Sequence, residues 1–365
     1  MSRGFRRGLA LGAAYGLLTV LVAEAVRPRG APTALLDWDE VTRIALARSR
    51  EQRLGPDRLA EAAASYNRFA ERLLNPLLET VGGLSEGTRL PRFEALDRAG
   101  WLEVNVTILR RVMEPLVASS LVPESWMATA GRAGLNRYVA LMLDYLSRRV
   151  LGQFDPQLLG KEPVRSSLYL VEPNVAAWQR QADLPGDDLR RWLILHEMTH
   201  AWQFAAHPWL REYMDRQIQE LVAVSTRTSS TRGLERLRAL TVGVPSQWEL
   251  VRRMQAVMTL VEGHGNLVMN LVGQRALRSF DRLEEAYRSR SQERGALERV
   301  VWRLTGLEMK MDQYRVGERF AQAVHDRYGM EVLNRAWTGP ASLPRLDELA
   351  DPDRWYRRVV GKRHG

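Results

Sequence analysis

The sequence predicts a mainly α-helical protein of the α+β class with one small β element. Three observations carry this prediction. Apolar residues recur at three- and four-residue spacing through most of the chain from Asp37 onward, the pattern of helices that bury one face. One stretch, Ser167–Val175, breaks that period with a short β-prone run closed by Pro173-Asn174. Downstream of it lies Arg190–Phe204, an apolar helical segment that contains His196-Glu197-Met198-Thr199-His200, an H-E-x-x-H.

Composition narrows the chemistry. With 365 residues, 45% hydrophobic and 26% charged, the chain is long enough for one large domain or two medium ones. Cysteine is absent. That excludes disulfides, thiolate zinc sites and a cysteine nucleophile, so any metal must sit on His and Asp/Glu. The formal net charge is +10, but the arginines are scattered along helical stretches, as on solvated helix faces. Attraction to anionic lipid is the sharper alternative. No nucleic-acid motif accompanies the charge, so no nucleic-acid partner is expected.

Residues 1–30 stand apart. Arg3, Arg6 and Arg7 precede the apolar run 9–26, and Arg27-Pro28-Arg29-Gly30 follows as a linker. The run is near the lower length limit for a spanning helix. Membrane association through a single anchor, a cleaved signal peptide and a helix packed on the domain are all open readings. Without an anchor the protein is expected to be cytoplasmic.

The remainder, 34–365, reads as a helical lobe over about 34–155 and a metal-site lobe over about 160–365. Asp37 to about Arg53 is a helix with acidic residues in its first turn, ended by Leu54-Gly55-Pro56. Asp57–Val81 is a second, which Pro76 is expected to kink or shorten. Phe93–Gly100 leads into a helix over Trp101–Leu116. Another runs over Trp126–Leu151, where Gly131 and Gly134 suggest a close helix contact or a break; Gly152–Pro156 ends it. The strand at Ser167–Val175 is expected either as the edge on which an extended peptide docks or as a purely structural strand.

Leu184-Pro185-Gly186-Asp187-Asp188 supplies a turn and N-cap candidates for the metal helix, which ends near His207-Pro208. Helices are expected over Trp209–Ser225, Leu234–Val242, Gln247–Gly273, Leu297–Leu304 and Met309–Tyr328, with a loop over Thr226–Gly233. In Gln247–Gly273, Gly263 and Gly265 lower helix propensity, which suggests that another backbone comes close.

On a helix, residues i and i+4 share a face, so His196 and His200 can each offer a ring nitrogen to one metal ion. Glu197 is turned about 100° away, beside the ion, where a general base must stand. The turns on both sides are apolar, and buried imidazoles and a buried carboxylate need partners. Catalytic zinc takes three protein ligands and leaves a fourth position open. His207 fails as the third ligand. The longer motif H-E-x-x-H-x-x-G-x-x-H puts its glycine and last histidine where this chain has Gln203 and Ala206. Glu262, among apolar residues of a downstream helix, is the better candidate. His264 is its rival, two residues on and therefore pointing elsewhere on a regular helix. Asn266, at i+4 from Glu262, could accept from a ligand imidazole.

This combination resembles the gluzincin branch of the zincin metallopeptidases. More narrowly it is similar to an uncharacterised bacterial family of zinc-dependent metalloproteases, sometimes described as hydrolases associated with deazaflavin cofactor biosynthesis. The resemblance runs from about Leu36 to Tyr356. It rests on Asp37-Trp38-Asp39, Asp97–Trp101 with Asn105, Val150–Asp155, Val171–Asn174, His196–Phe204, Pro208-Trp209-Leu210, Val261–His264 and Gly306–Arg315. It implies a zincin-like, mainly helical fold, with His196, His200 and Glu262 as ligands of Zn²⁺ and Glu197 as the base. The expected function is a zinc hydrolase acting on a peptide or protein. Tyr314 or Arg315 could donate to the oxyanion, although no spacing singles them out. The alternative is a non-catalytic helical protein whose zinc is structural or serves partner binding, with His264 or His207 as a fourth ligand.

Overall fold

A computed structural model describes residues 33–34, 36–48, 53–119, 121–122, 126–160, 167–229, 245–292 and 307–361; side chains are described outside 33, 115–129, 225–247, 291–292 and 307–315. The expected anchor at 9–26 and the expected helices at Leu234–Val242 and Leu297–Leu304 lie outside the described residues. Among those described, no helix is long and apolar enough to cross a membrane.

Helix α1 (Trp38–Ala47) is capped by Asp37, whose carboxylate accepts from the backbone N–H of Asp39 and of Glu40. Such a cap contributes about 1 kcal/mol. The helix stops at Ala47, short of the expected Arg53. Helix α2 (Pro56–Val81) starts on Pro56, where a missing N–H costs nothing, and continues past Pro76 to Val81.

A short pair joins β1 (Thr33–Ala34) to β3 (Leu121–Val122). The main sheet has three strands in the order β2 (Phe93–Leu96), β5 (Ser167–Val171), β4 (Gly152–Asp155). β5 runs parallel to β2 and antiparallel to β4. It is therefore the central strand, with both edges paired, and no peptide can add to it; the expectation that it forms a docking edge is overturned. Its run also ends earlier than expected. Helix α5 (Glu172–Gln181) follows at once, with Pro173 in its first turn rather than in a terminating loop.

Two further helices, α3 (Arg98–Ser119) and α4 (Trp126–Ser147), build a smaller core with α1 from Trp38, Val41, Trp101, Leu102, Ala140 and Leu143. Gly134 in α4 has open space around it, so it marks neither a contact nor a break. The larger core gathers α2, β2 and β5 around helix α6 (Gly186–Ala206). Asp187 and Asp188 lie in the first turn of α6, and its N-cap is Pro185, which offers no side-chain bond.

Helix α7 (Pro208–Ser229) follows, and then α8 (Pro245–Ala276), α9 (Phe280–Gln292), α10 (Leu307–Tyr328), α11 (Met330–Asn334) and α12 (Pro352–Val359). α8 packs on α6 and also crosses α10 almost backbone to backbone. A Cβ on Gly263 would fall 2.1 Å from the carbonyl carbon of Gly317, and one on Gly317 2.0 Å from the Thr259 oxygen. The close approach expected at Gly263 is thus made by α10.

Candidate metal centre

Helix α6 is buried on nearly every face. Leu189, Trp192, Ile194, Leu195, Met198, Ala201 and Trp202 are all at most 3% exposed, which leaves its polar groups little access to water. His196 and His200 project one turn apart toward α8, and α8 presents Glu262 to them. Gly265, one turn further on, lets the helices meet: a Cβ there would sit 3.0 Å from His200 Cε1. The neighbour that Gly265 accommodates is this imidazole rather than another backbone.

His196 Nε2 and His200 Nε2 are 3.1 Å apart, and Glu262 Oε2 lies 3.6 and 3.4 Å from them. Zn–N and Zn–O bonds of about 2.0–2.2 Å at tetrahedral angles put neighbouring donor atoms about 3.4 Å apart. The three donors therefore match one face of a zinc tetrahedron. Among the described residues these three form the cluster able to hold a metal ion.

The electrostatics favour a cation. Burial works against a charged His200, but the hydrogen bond and charge of Glu262 overcome it and lift the imidazole to about 9. Burial likewise opposes ionisation of Glu262, and its bonds to His196 and His200 reverse that and hold it well below the usual carboxylate range. The site thus holds its carboxylate ionised and takes up positive charge, as a proton or as a metal.

Glu197 stands beside the ligands with 6% exposure. Burial raises its pKa, while the two histidines and the Phe154 N–H pull the other way. That N–H comes from β4. Val171 N–H bonds to the Leu151 carbonyl, so in this antiparallel register Gln153 and Asp155 point their backbone groups at β5, and Gly152 and Phe154 point theirs outward. Glycine at 152 leaves room for the Glu197 side chain: a Cβ would stand 2.6 Å from Glu197 Oε1. Beyond it, Phe154 meets Phe204 of α6 with ring centroids 5.4 Å apart. Both line a cavity of about 320 Å³ with Pro156, Pro208, Arg211 and Asp215.

His264 is fully buried and does not face the ligands. Its Nδ1 is 3.1 Å from the Gln203 amide nitrogen and its Nε2 3.3 Å from Asn334 Oδ1. His207 caps α6, stacks on Trp337 and meets Trp202 edge-on. Neither is placed to close the site as a fourth ligand. Asn266 is buried, with an Oδ1 that has no partner among the described residues. The place behind His200 belongs instead to Gln203, whose Oε1 is 2.9 Å from His200 Nδ1. Tyr314 and Arg315 fall on α10 where side chains lie outside the description.

Sequence reasoning missed Gln203, Gly152 and Asn334. The signal for Gln203 was a polar side chain inside Ala201-Trp202-Gln203-Phe204, one turn from a ligand.

The zincin-like metallopeptidase family model matches residues 36–356. The chain belongs to this family. A solved structure from Chloroflexus aurantiacus, titled "putative hydrolase with a novel fold", matches with 33% identity and a TM-score of 0.68, covering 90% of this chain and 100% of that one. No curated protein matches. Zincin-like membership also implies a metal, usually zinc, and the donor set described above fits one.

Proposed function

We propose that this zincin-like chain is a zinc-dependent hydrolase that cleaves peptide bonds, with Glu197 as general base. The observation that carries the reading is the placement of Glu197: buried, and beside three donors at zinc spacing. Family membership and the related hydrolase structure support the hydrolase class. Zinc held by His196, His200 and Glu262 would supply a Lewis acid that brings the pKa of water down to about 7.

Each protein group then has a defined task. Glu197 accepts the proton of the attacking water, and its raised affinity for protons suits it to that role. It returns the proton to the leaving amine. The absence of a side chain at Gly152 leaves room for its carboxylate beside the three donors. An extended substrate is read as pairing with the outer edge of β4, beside Glu197, with one side chain entering the cavity between Phe154 and Phe204. Tyr314 or Arg315 is proposed as a donor to the oxyanion.

The test is metal content and peptide cleavage in three forms. Wild type should carry zinc and cut members of a peptide library. His196→Ala should lose both, and Glu197→Gln should keep zinc but lose cleavage. Zinc unchanged in His196→Ala, or cleavage unchanged in Glu197→Gln, would reject the reading. For location, the proposal is membrane association through 9–26; a variant lacking 1–30 should leave the membrane fraction.

A further inference from the structure

We infer that Gln203, oriented by His264 and Asn334, is the positioning residue that commits His200 to ligate through Nε2. The inference rests on the metal reading above. A neutral imidazole carries its proton on one nitrogen, and which one is set by the bond the other makes. For His200 the polarity can be followed back to atoms that have no choice.

The chain of bonds starts at a backbone carbonyl, which can only accept. Gln203 Nε2 donates to Val261 O at 2.9 Å, so the nitrogen end of the amide faces α8. The oxygen end therefore faces His200 Nδ1 at 2.9 Å. An amide oxygen only accepts, so His200 must donate from Nδ1. Its Nε2 is then the lone pair, and this is the atom that faces His196 and Glu262.

The second N–H of Gln203 points at His264 Nδ1, 3.1 Å away. His264 accordingly keeps its proton on Nε2 and directs it at Asn334 Oδ1, 3.3 Å away. Asn334 Nδ2 donates to the Val81 carbonyl at 2.9 Å, which fixes that amide as well. Every donor in this relay has an acceptor, and both ends terminate on backbone carbonyls.

The rings cannot rotate out of the arrangement. His264 stacks on Trp202 with an interplanar angle of 9° and meets Trp337 edge-on at 5.2 Å. Trp202 in turn donates to the Gly82 carbonyl. Three segments distant in sequence, α2 with its C-cap, α8 and α11, thus converge on the orientation of one metal ligand.

The test is zinc affinity by chelator competition, together with a long-range ¹H–¹⁵N spectrum of the zinc-loaded protein that reports which nitrogen of His200 is protonated. The spectrum should show a proton on Nδ1 of His200. Gln203→Leu should bind zinc about 10–100-fold more weakly. His264→Phe keeps the aromatic stack but removes one of the two acceptors that hold the amide, so its loss should be smaller. Gln203→Glu keeps an oxygen toward His200 but sets its other oxygen against the Val261 carbonyl, which only accepts, so it should recover only part of the affinity lost in Gln203→Leu. Circular dichroism identifies a variant that has unfolded; His264→Phe then carries the test. Wild-type zinc binding with unchanged affinity in Gln203→Leu, or His200 protonated on Nε2, would overturn the relay alone. Absence of zinc binding in wild type would overturn the metal reading beneath it.

Discussion

Gly317→Ala should be among the most damaging single methyl additions in this protein. The new Cβ would lie 2.0 Å from the Thr259 oxygen and 3.1 Å from Thr259 Cγ2. Ordinary non-bonded separations are about 3.5 Å, so α8 and α10 must part by more than about 1 Å. The nearest clashing atom is backbone, and no rotamer change relieves it. Overpacking that can be absorbed costs about 1–3 kcal/mol; here the loss should reach about 3 kcal/mol or more. Urea unfolding of wild type and variant measures this directly. Gly134→Ala is the internal control: it too is a helix glycine, but nothing lies within 4 Å of its added Cβ. Relief of glycine's backbone entropy should make that variant about 0.5–1 kcal/mol more stable. A Gly317→Ala protein within about 1 kcal/mol of wild type, or two alanine variants that behave alike, would refute the close helix crossing. The crossing also matters to the site, because Glu262 immediately precedes Gly263.

Gly152→Ala presses on Glu197 Oε1 from 2.6 Å without touching a ligand; peptide cleavage should drop by about 10–100-fold while zinc content measured by atomic absorption stays at the wild-type level. Zinc affinity should rise with pH from 7 toward 9, because metal-free His200 holds its proton up to about 9; the expected gain is about tenfold per pH unit from this group, read by chelator competition. Burial depresses His264 from 6.5 to about 3 and His207 from 6.5 to about 4. The unfolded chain therefore takes up these protons first as pH falls below 6.5. Stability should be lost from there down to about 4, by up to about 1.4 kcal/mol per pH unit for each histidine, and His264→Phe should flatten the urea-midpoint profile over that range.

The convergence of the three candidate donors was readable because its information is local. His196 and His200 are one helical turn apart, and Glu262 is a carboxylate in an apolar stripe; both are visible without knowing the fold. The β sheet was not readable in the same way. Phe93–Leu96 and Gly152–Asp155 are four residues each, too short to display a period of two against the helices around them. Whether Ser167–Val171 is an edge or a central strand depends on those two partners, which lie elsewhere in the sequence. Pro173-Asn174 read as a stop, yet proline is equally at home in the first turn of a helix, and α5 uses it there. The relay behind His200 joins Gln203 to His264 and Asn334, and no spacing rule connects residues brought together by three separate helices.

The two halves of the candidate centre come from α6 and α8, with α7 and residues 230–244 between them in sequence. A cation shared by His200 and Glu262 would therefore act as a staple across that interval, in a chain that has no cysteine with which to make one. Removing the ion with a chelator should then lower the melting temperature of the whole larger core, by an amount that grows with the logarithm of the free zinc withheld.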